Sequence, residues 1–220
     1  LKILGIDTSS EVLSIALSDD REVIVEENHK LDRRHSSLLV PKIKEMLKGV
    51  GLSIDSVEAF VIGLGPGSFT GLRIGVSTVK GLGIAKKRPC IGVPSIDALA
   101  LNVDKGPDII VPLIDAKRQQ VYSAIYKKEG DRIVRKSKYL LLTVDKLINK
   151  IKQSSVFLGD GLVLYRAKLE ALNKNPVFLD KTYWYPRASN LIRLAGRYKK
   201  TDLSKLRPMY LYPKDCQVKR

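Results

Sequence analysis

Three sets of residues in this chain have types and spacing that could do chemistry. Asp7 closes the apolar run Leu1-Lys-Ile-Leu-Gly-Ile-Asp7 and precedes Thr8, Ser9 and Ser10. A carboxylate beside hydroxyls at a strand end can orient a phosphate or a hydrated cation, whereas a turn aspartate satisfied by its own backbone does neither. The stretch Gly63-Leu-Gly-Pro-Gly-Ser-Phe-Thr-Gly-Leu-Arg-Ile-Gly75 sets five glycines between an apolar run and a helical pattern. Free N–H groups ahead of a helix favour an anion, so Asp7, Thr8, Ser9, Gly65, Gly67 and Ser68 are the candidate nucleotide or phosphate contacts. Two common phosphate signatures do not fit. Leu72 and Arg73 follow Gly71 where a P-loop carries Lys and Ser or Thr, and Ser68 or Thr70 stands at the third glycine of a dinucleotide loop. A turn shaped by packing alone satisfies the same spacing. The third set, His29 and His35 with Cys90 and Cys216, is spaced too loosely for a metal cluster or a disulfide framework, so reduced thiols are expected.

The elements that must position these groups follow from periodicity. Ala59 to Leu64 suits a buried strand, and Leu72 to Lys87 carries a helical pattern that Ser68 or Thr70 can cap. Runs at 1–7, 12–17 and 22–27 read as a three-stranded antiparallel meander. A helix is expected from about Ser36 to Val50, with Leu39, Val40, Ile43, Met46, Leu47 and Val50 on one arc and Pro41 near its first turn. The helix after the glycine loop is apolar almost all round, with Arg73, Ser77 and Lys80 as its polar strip, so more than one side should be covered. Gly75, Gly81 and Gly83 each cost about 1 kcal/mol relative to Ala inside a helix, which calls for a closely approaching neighbour. Ile91 to Pro94 reads as a strand end, and Ser95 as the cap of a helix through Leu101. After a break at 102–107 the pattern restarts: Asp108 to Asp115, a turn, then Gln120 to Tyr126 repeat the opening layout of strand, terminal Asp, turn and strand. Two α/β lobes follow, 1–105 and a smaller, strongly basic 106–220, with the C-terminal tail free to pack back on the first.

At 220 residues and 44% apolar, the chain is long enough for a sizeable core. No apolar run reaches the ~18 residues of a membrane span and no secretory pattern opens the chain, so a cytoplasmic protein with no membrane partner is expected. The net charge is +16, which residues 1–105 and 106–220 divide as +1 and +15. Such asymmetry points the second half at a polyanion, with a lysine-rich solvated surface as the competing explanation. Tyr183-Trp-Tyr185 is the one aromatic cluster, and core packing suits it better than base stacking.

The doubled strand-Asp-turn-strand layout resembles the actin-like ATPase and sugar-kinase superfamily, a two-lobed, ribonuclease H-like fold with a mixed sheet and flanking helices in each lobe. Ile6-Asp-Thr-Ser9, His35-Ser36, the whole 63–75 motif, Lys80-Gly81-Leu82 and Gly92-Val-Pro-Ser95 resemble the TsaB family. The likeness continues more loosely through Ile114-Asp-Ala-Lys-Arg118, Gly159-Asp-Gly161 and Tyr185-Pro-Arg-Ala188, and departs at Tyr210-Leu-Tyr-Pro213, where that family carries Tyr-Leu-Arg-Pro. It implies a non-catalytic adaptor of tRNA threonylcarbamoyladenosine synthesis. The adaptor pairs with a TsaD-like transferase as a heterodimer, helps recruit a TsaE-like ATPase, contacts tRNA through the complex, and forms a homodimer in isolation. The transferase's metal-binding His-x-x-x-His pair is replaced here by Ser95 and Leu99, so neither catalytic residues nor a metal are expected. No cofactor should bind tightly, although the resemblance allows ATP or ADP at the partner interface. The family's paired helices place His35, Leu39, Ile43, Met46, Gly75, Val76, Val79 and Gly83 at that interface, and the basic half offers Arg197, Lys199 and Lys200 to tRNA. The alternative is a small actin-like ATPase or kinase acting alone through Asp7 and Asp115.

Overall fold

A computed structural model of the chain describes residues 1–20, 22–30, 35–171 and 175–212, without the side chains of residues 35 and 36. It divides into two compact units, the first made of 1–102 and 185–208, the second of 103–184 with 209–212.

In the first unit β1 (Lys2–Asp7), β2 (Val12–Asp19) and β3 (Glu22–Lys30) form the expected antiparallel meander. Helix α1 (His35–Gly49) leads to β4 (Ala59–Gly63), parallel to β1; α2 (Phe69–Lys86) then leads to β5 (Cys90–Val93), parallel to β4, and α3 (Ser95–Ala100) follows. The sheet order is β3-β2-β1-β4-β5. Parallel strands at the centre of a sheet are covered on both faces, which is why β4 is buried throughout. Leu4, Ile6, Leu13, Ile15, Phe60 and Ile62 pack on one face against Leu39, Ile43 and Met46 of α1 and Val76 and Val79 of α2.

The second unit runs β6 (Ile109–Asp115), β7 (Val121–Ser123), β8 (Tyr126–Glu129), β9 (Arg132–Arg135), β10 (Leu140–Leu142), α4 (Val144–Ile148), β11 (Ser155–Leu158), α5 (Leu162–Glu170) and β12 (Val177–Phe178). Its sheet is ordered β10-β7-β6-β11-β12, with β8 pairing β6 and β9. Val111, Leu113, Val121, Leu147, Phe157 and Leu169 form its core.

Helix α6 (Ala188–Ala195) then returns to the first sheet, on the face opposite α1 and α2, where Leu191 and Leu194 meet Val61, Val93 and Ala98. Polar contacts fix the return: Ala188 N–H donates to Ser14 Oγ at 2.8 Å, and Asn190 Nδ2 to Asn102 Oδ1 at 2.9 Å. The boundary expected at 105 therefore lies at 102, and 185–208 belongs to the first unit. The charge partition changes with it. The first unit holds 20 Lys and Arg against 13 Asp and Glu, or +7, leaving +9 for the rest of the chain.

Pro41 lies inside α1, as the helix expected over 36–50 requires, whereas two local expectations change. Pro94, not Ser95, is the N-cap of α3, because the Ser95 hydroxyl is engaged elsewhere. Val40 is 54% exposed, off the buried arc assigned to it.

Candidate functional site

The Asp7 turn and the glycine loop meet, but they close on each other. Asp7 and Thr8 are fully buried and Ser9 nearly so. Asp7 Oδ1 accepts from Ser9 N–H at 2.8 Å and Ser9 Oγ at 2.6 Å, so the carboxylate organises its own turn. Ser9 O accepts from Ser68 N–H at 2.6 Å, and Thr8 Oγ1 donates to Gly71 O at 2.8 Å. A Cβ on Gly67 would lie 2.1 Å from Ser9 O, and one on Gly71 2.1 Å from Thr8 O, so these positions are glycine because two backbones touch there. Ser68 Oγ caps α2 by accepting from Gly71 N–H, and Gly65 N–H donates to Ser95 Oγ. The amides of Ser9, Gly65, Ser68 and Gly71 are engaged within the chain.

Asp7 Oδ2 has no hydrogen-bond partner, and it crowds Gly63 together with Ser95 Oγ. Burial pushes the Asp7 carboxyl above the usual range, against smaller opposing pulls from the Ser9 hydroxyl, the Ser95 hydroxyl and the Ser9 amide. Burial of a carboxyl whose second oxygen is unbonded favours its neutral form.

The second hairpin is built differently. Asp115 Oδ1 accepts from Lys117 N–H at 2.8 Å, its Oδ2 pairs with Lys117 Nζ, and its own N–H donates to Asp160 Oδ1 at 2.9 Å. Lys117, Arg118 and Gln119 all have positive φ, between 51° and 63°, and project into solvent. Tyr212 donates to Ala116 O at 2.7 Å and meets Tyr122 edge-on. Burial, and then Tyr212, push the Tyr122 phenol up to about 12.

The helical residues expected to meet a partner face the chain's own sheet instead. Leu39, Ile43, Met46, Val76 and Val79 are between 0% and 4% exposed and lie in the first unit's core. Gly75 lies against Thr8, and Gly83 against Cys90, whose thiol burial raises to about 11. His35 opens α1, but its side chain lies outside the described residues. The outward surface of α2 includes Phe69, Arg73, Ser77, Gly81 and Ile84, one stripe at helical spacing flanked by Thr70 and Ala85, with Phe69 54% and Ile84 66% exposed. The Arg73 guanidinium stacks 3.8 Å from the Phe69 ring centroid. Arg73 and Ser77 of this stripe belong to the polar strip expected from the sequence, whereas Phe69 and Ile84 escape it because apolarity alone does not say whether a residue meets a sheet or solvent. Arg197, Lys199 and Lys200 are exposed, on the first unit rather than the second. His29 Nε2 lies 2.7 Å from Glu27 Oε2. Among the described residues no three His, Cys, Asp or Glu are grouped to hold a metal, and no helix is long and apolar enough to cross a membrane.

Two α/β units, each with a mixed sheet and an aspartate at the end of its first strand, place the chain in the actin-like ATPase class of fold. At that level the chain is similar to the (R)-2-hydroxyglutaryl-CoA dehydratase component A of Acidaminococcus fermentans, with a TM-score of 0.54 at 11% identity over 90% of this chain and 98% of that one. It is much more similar to YeaZ from Pseudomonas aeruginosa, with a TM-score of 0.81 at 27% identity, covering 96% of this chain and 99% of that one. Residues 24–206 match the TsaD family, tRNA N6-adenosine threonylcarbamoyltransferase. TsaB of Bacillus subtilis (strain 168), a tRNA threonylcarbamoyladenosine biosynthesis protein, is 30% identical over 100% of this chain and 97% of its own length. TsaB of Escherichia coli (strain K12) is 34% identical over 135 residues, 60% of this chain and 58% of that protein. The chain belongs to the TsaB family of tRNA threonylcarbamoyladenosine biosynthesis proteins, within the wider TsaD family.

Proposed function

We propose that this chain is the non-catalytic adaptor of a cytoplasmic tRNA threonylcarbamoyladenosine synthesis complex. It pairs with a TsaD-like transferase, helps recruit a TsaE-like ATPase, approaches tRNA through the assembled complex, and dimerises with itself when alone. The observation that carries this reading is α3. Ser95 and Leu99 stand where the resemblance puts the transferase's metal-binding histidines, and both are fully buried, with Ser95 Oγ bonded to the glycine loop. Neither side chain can serve as an imidazole ligand. The burial of Asp7 and the internal engagement of its neighbouring amides weigh against the alternative, an ATPase or kinase acting alone. ATP or ADP belongs, on this reading, at the surface shared with the partner.

The partner surface is the outward side of α1 and α2, carried by Val40, Phe69, Arg73 and Ile84. The test is gel filtration and pull-down with the TsaD-like protein. Val40→Glu and Ile84→Glu should keep the parental circular dichroism yet weaken pairing by more than ~100-fold, because an unpaired charge buried at an interface costs several kcal/mol. Normal pairing by both folded variants would move the interface elsewhere. Assays of the chain alone should show no ATP hydrolysis, peptidase activity or threonylcarbamoyl transfer, and clear turnover would overturn the adaptor reading.

A further inference from the structure

The segment after α6 crosses the edge of the first sheet. Thr201 N–H donates to Cys90 O at 2.9 Å and the two residues form an antiparallel bridge, so the segment covers the outer strand β5. Leu203 and Leu206 then insert into the core on the α2 side, with Leu206 1% exposed. The strap is therefore anchored by backbone and leucines, while its charged side chains point out. Lys199, Lys200 and Lys205 are exposed along it, and Lys87 and Arg88 are exposed on the chain entering β5 beside it. None of these five forms an ion pair among the described residues, whereas neighbouring Lys86 is paired with Asp55. The strap's one acid, Asp202, forms no ion pair with them among the described residues. Asp202 accepts from both the amide and the hydroxyl of Ser204 at 2.9 Å, and these bonds, then the Lys80 charge, hold its carboxyl below the usual range.

We infer that this strap and the β5 entry form a phosphate-backbone contact for RNA, made by Lys87, Arg88, Lys199, Lys200 and Lys205. The choice of RNA rests on the adaptor reading above; the position of the surface rests on the strap alone. Cations fixed to a bridged backbone along a sheet edge suit successive phosphates of a strand, and they contact phosphate without reading bases. The inference places the tRNA contact on the first unit, although more than half of the chain's net charge lies outside it.

The test is filter binding of an unmodified tRNA transcript to the full chain, alone and in complex with the TsaD-like protein, across a salt series. Arg88→Gln, Lys199→Gln, Lys200→Gln and Lys205→Gln are combined in one variant. A control removes the same charge from the second unit through Lys127→Gln, Lys146→Gln, Lys150→Gln and Lys152→Gln. Each lost phosphate contact should lower the slope of log K against log salt by about 0.7–0.9, so the strap variant should lose about 3 in slope and more than ~10-fold in affinity. The control should stay within about 3-fold, and replacing the three strap lysines by arginine should preserve binding. Equal losses in both variants would mean that net charge alone matters, and parental binding by the strap variant would mean that RNA lies elsewhere; either overturns the inference. Poly-L-glutamate bound through the strap as tightly as tRNA would make it an acidic-protein surface, and would also overturn it. Failure to pair with the transferase would instead overturn the adaptor reading, while binding of tRNA by the isolated chain would still report on the strap.

Discussion

The two hairpins that open the two units share one sequence layout and differ in almost every physical respect. In the first, Asp7 is fully buried, its Oδ2 is unbonded, and the glycine loop packs directly onto the turn. In the second, Asp115 is paired with Lys117, and three successive residues hold the left-handed conformation in solvent. Here the first turn has become core, and the second has become a strained, basic surface loop. The repeat of strand, aspartate and strand therefore records how the fold is built, and the contacts around each aspartate decide what each hairpin can do.

Substitutions can break this contrast, the largest effect first. Gly71→Ala forces a Cβ onto a backbone oxygen that cannot retreat, so it should cost about 3 kcal/mol and lower the melting temperature by about 6–12 °C. A parental melting temperature would show that the two segments are not in contact. Asp7→Asn keeps the acceptor that Ser9 uses and removes the buried ionisable group. Because the folded pKa of Asp7 is raised, its neutral form favours folding below the unfolded pKa, and that contribution is lost as pH rises through the folded pKa. Asp7→Asn should therefore gain stability relative to the parent between pH 3 and pH 7; parallel curves over that range would contradict the burial. Asp115→Asn breaks a pair whose lysine is 83% exposed, and should cost less than about 1 kcal/mol by denaturant titration. Gln119→Gly, at φ 60°, should stabilise by up to about 1 kcal/mol, because a side chain at positive φ is the less favourable choice. A loss of stability there would mean that Gln119 makes a contact worth more than the strain.

Much of this contrast was legible in the sequence, and the illegible part has a common cause. The meander, β4, the glycine loop, α2 and the repeat at 108–126 all follow from apolar periodicity and turn residues, and Ser68 caps α2 as its spacing suggests. What periodicity cannot give is the far side of a contact. Asp7 reads as a turn carboxylate until the loop nearly sixty residues later is seen to cover it. The apolar arcs of α1 and α2 read equally well as interface or core. The apolar face of α6 fits either sheet, and its contacts with Val61, Val93, Ser14 and Asn102 assign it to the first unit. That return also moves Arg197, Lys199 and Lys200 across the expected lobe boundary, which is why the charge asymmetry of the two halves overstates that of the two units.

The most direct test of the adaptor reading is reconstituted threonylcarbamoyl transfer to tRNA, with ATP, the TsaE-like ATPase and the TsaD-like transferase, as this chain is titrated in. Product should rise with the chain and saturate near one copy per transferase, while the chain without transferase gives none. Ile84→Glu should abolish the stimulation and Asp7→Asn should leave it intact. Full transfer in the absence of the chain, or product formed by the chain without the transferase, would contradict the account.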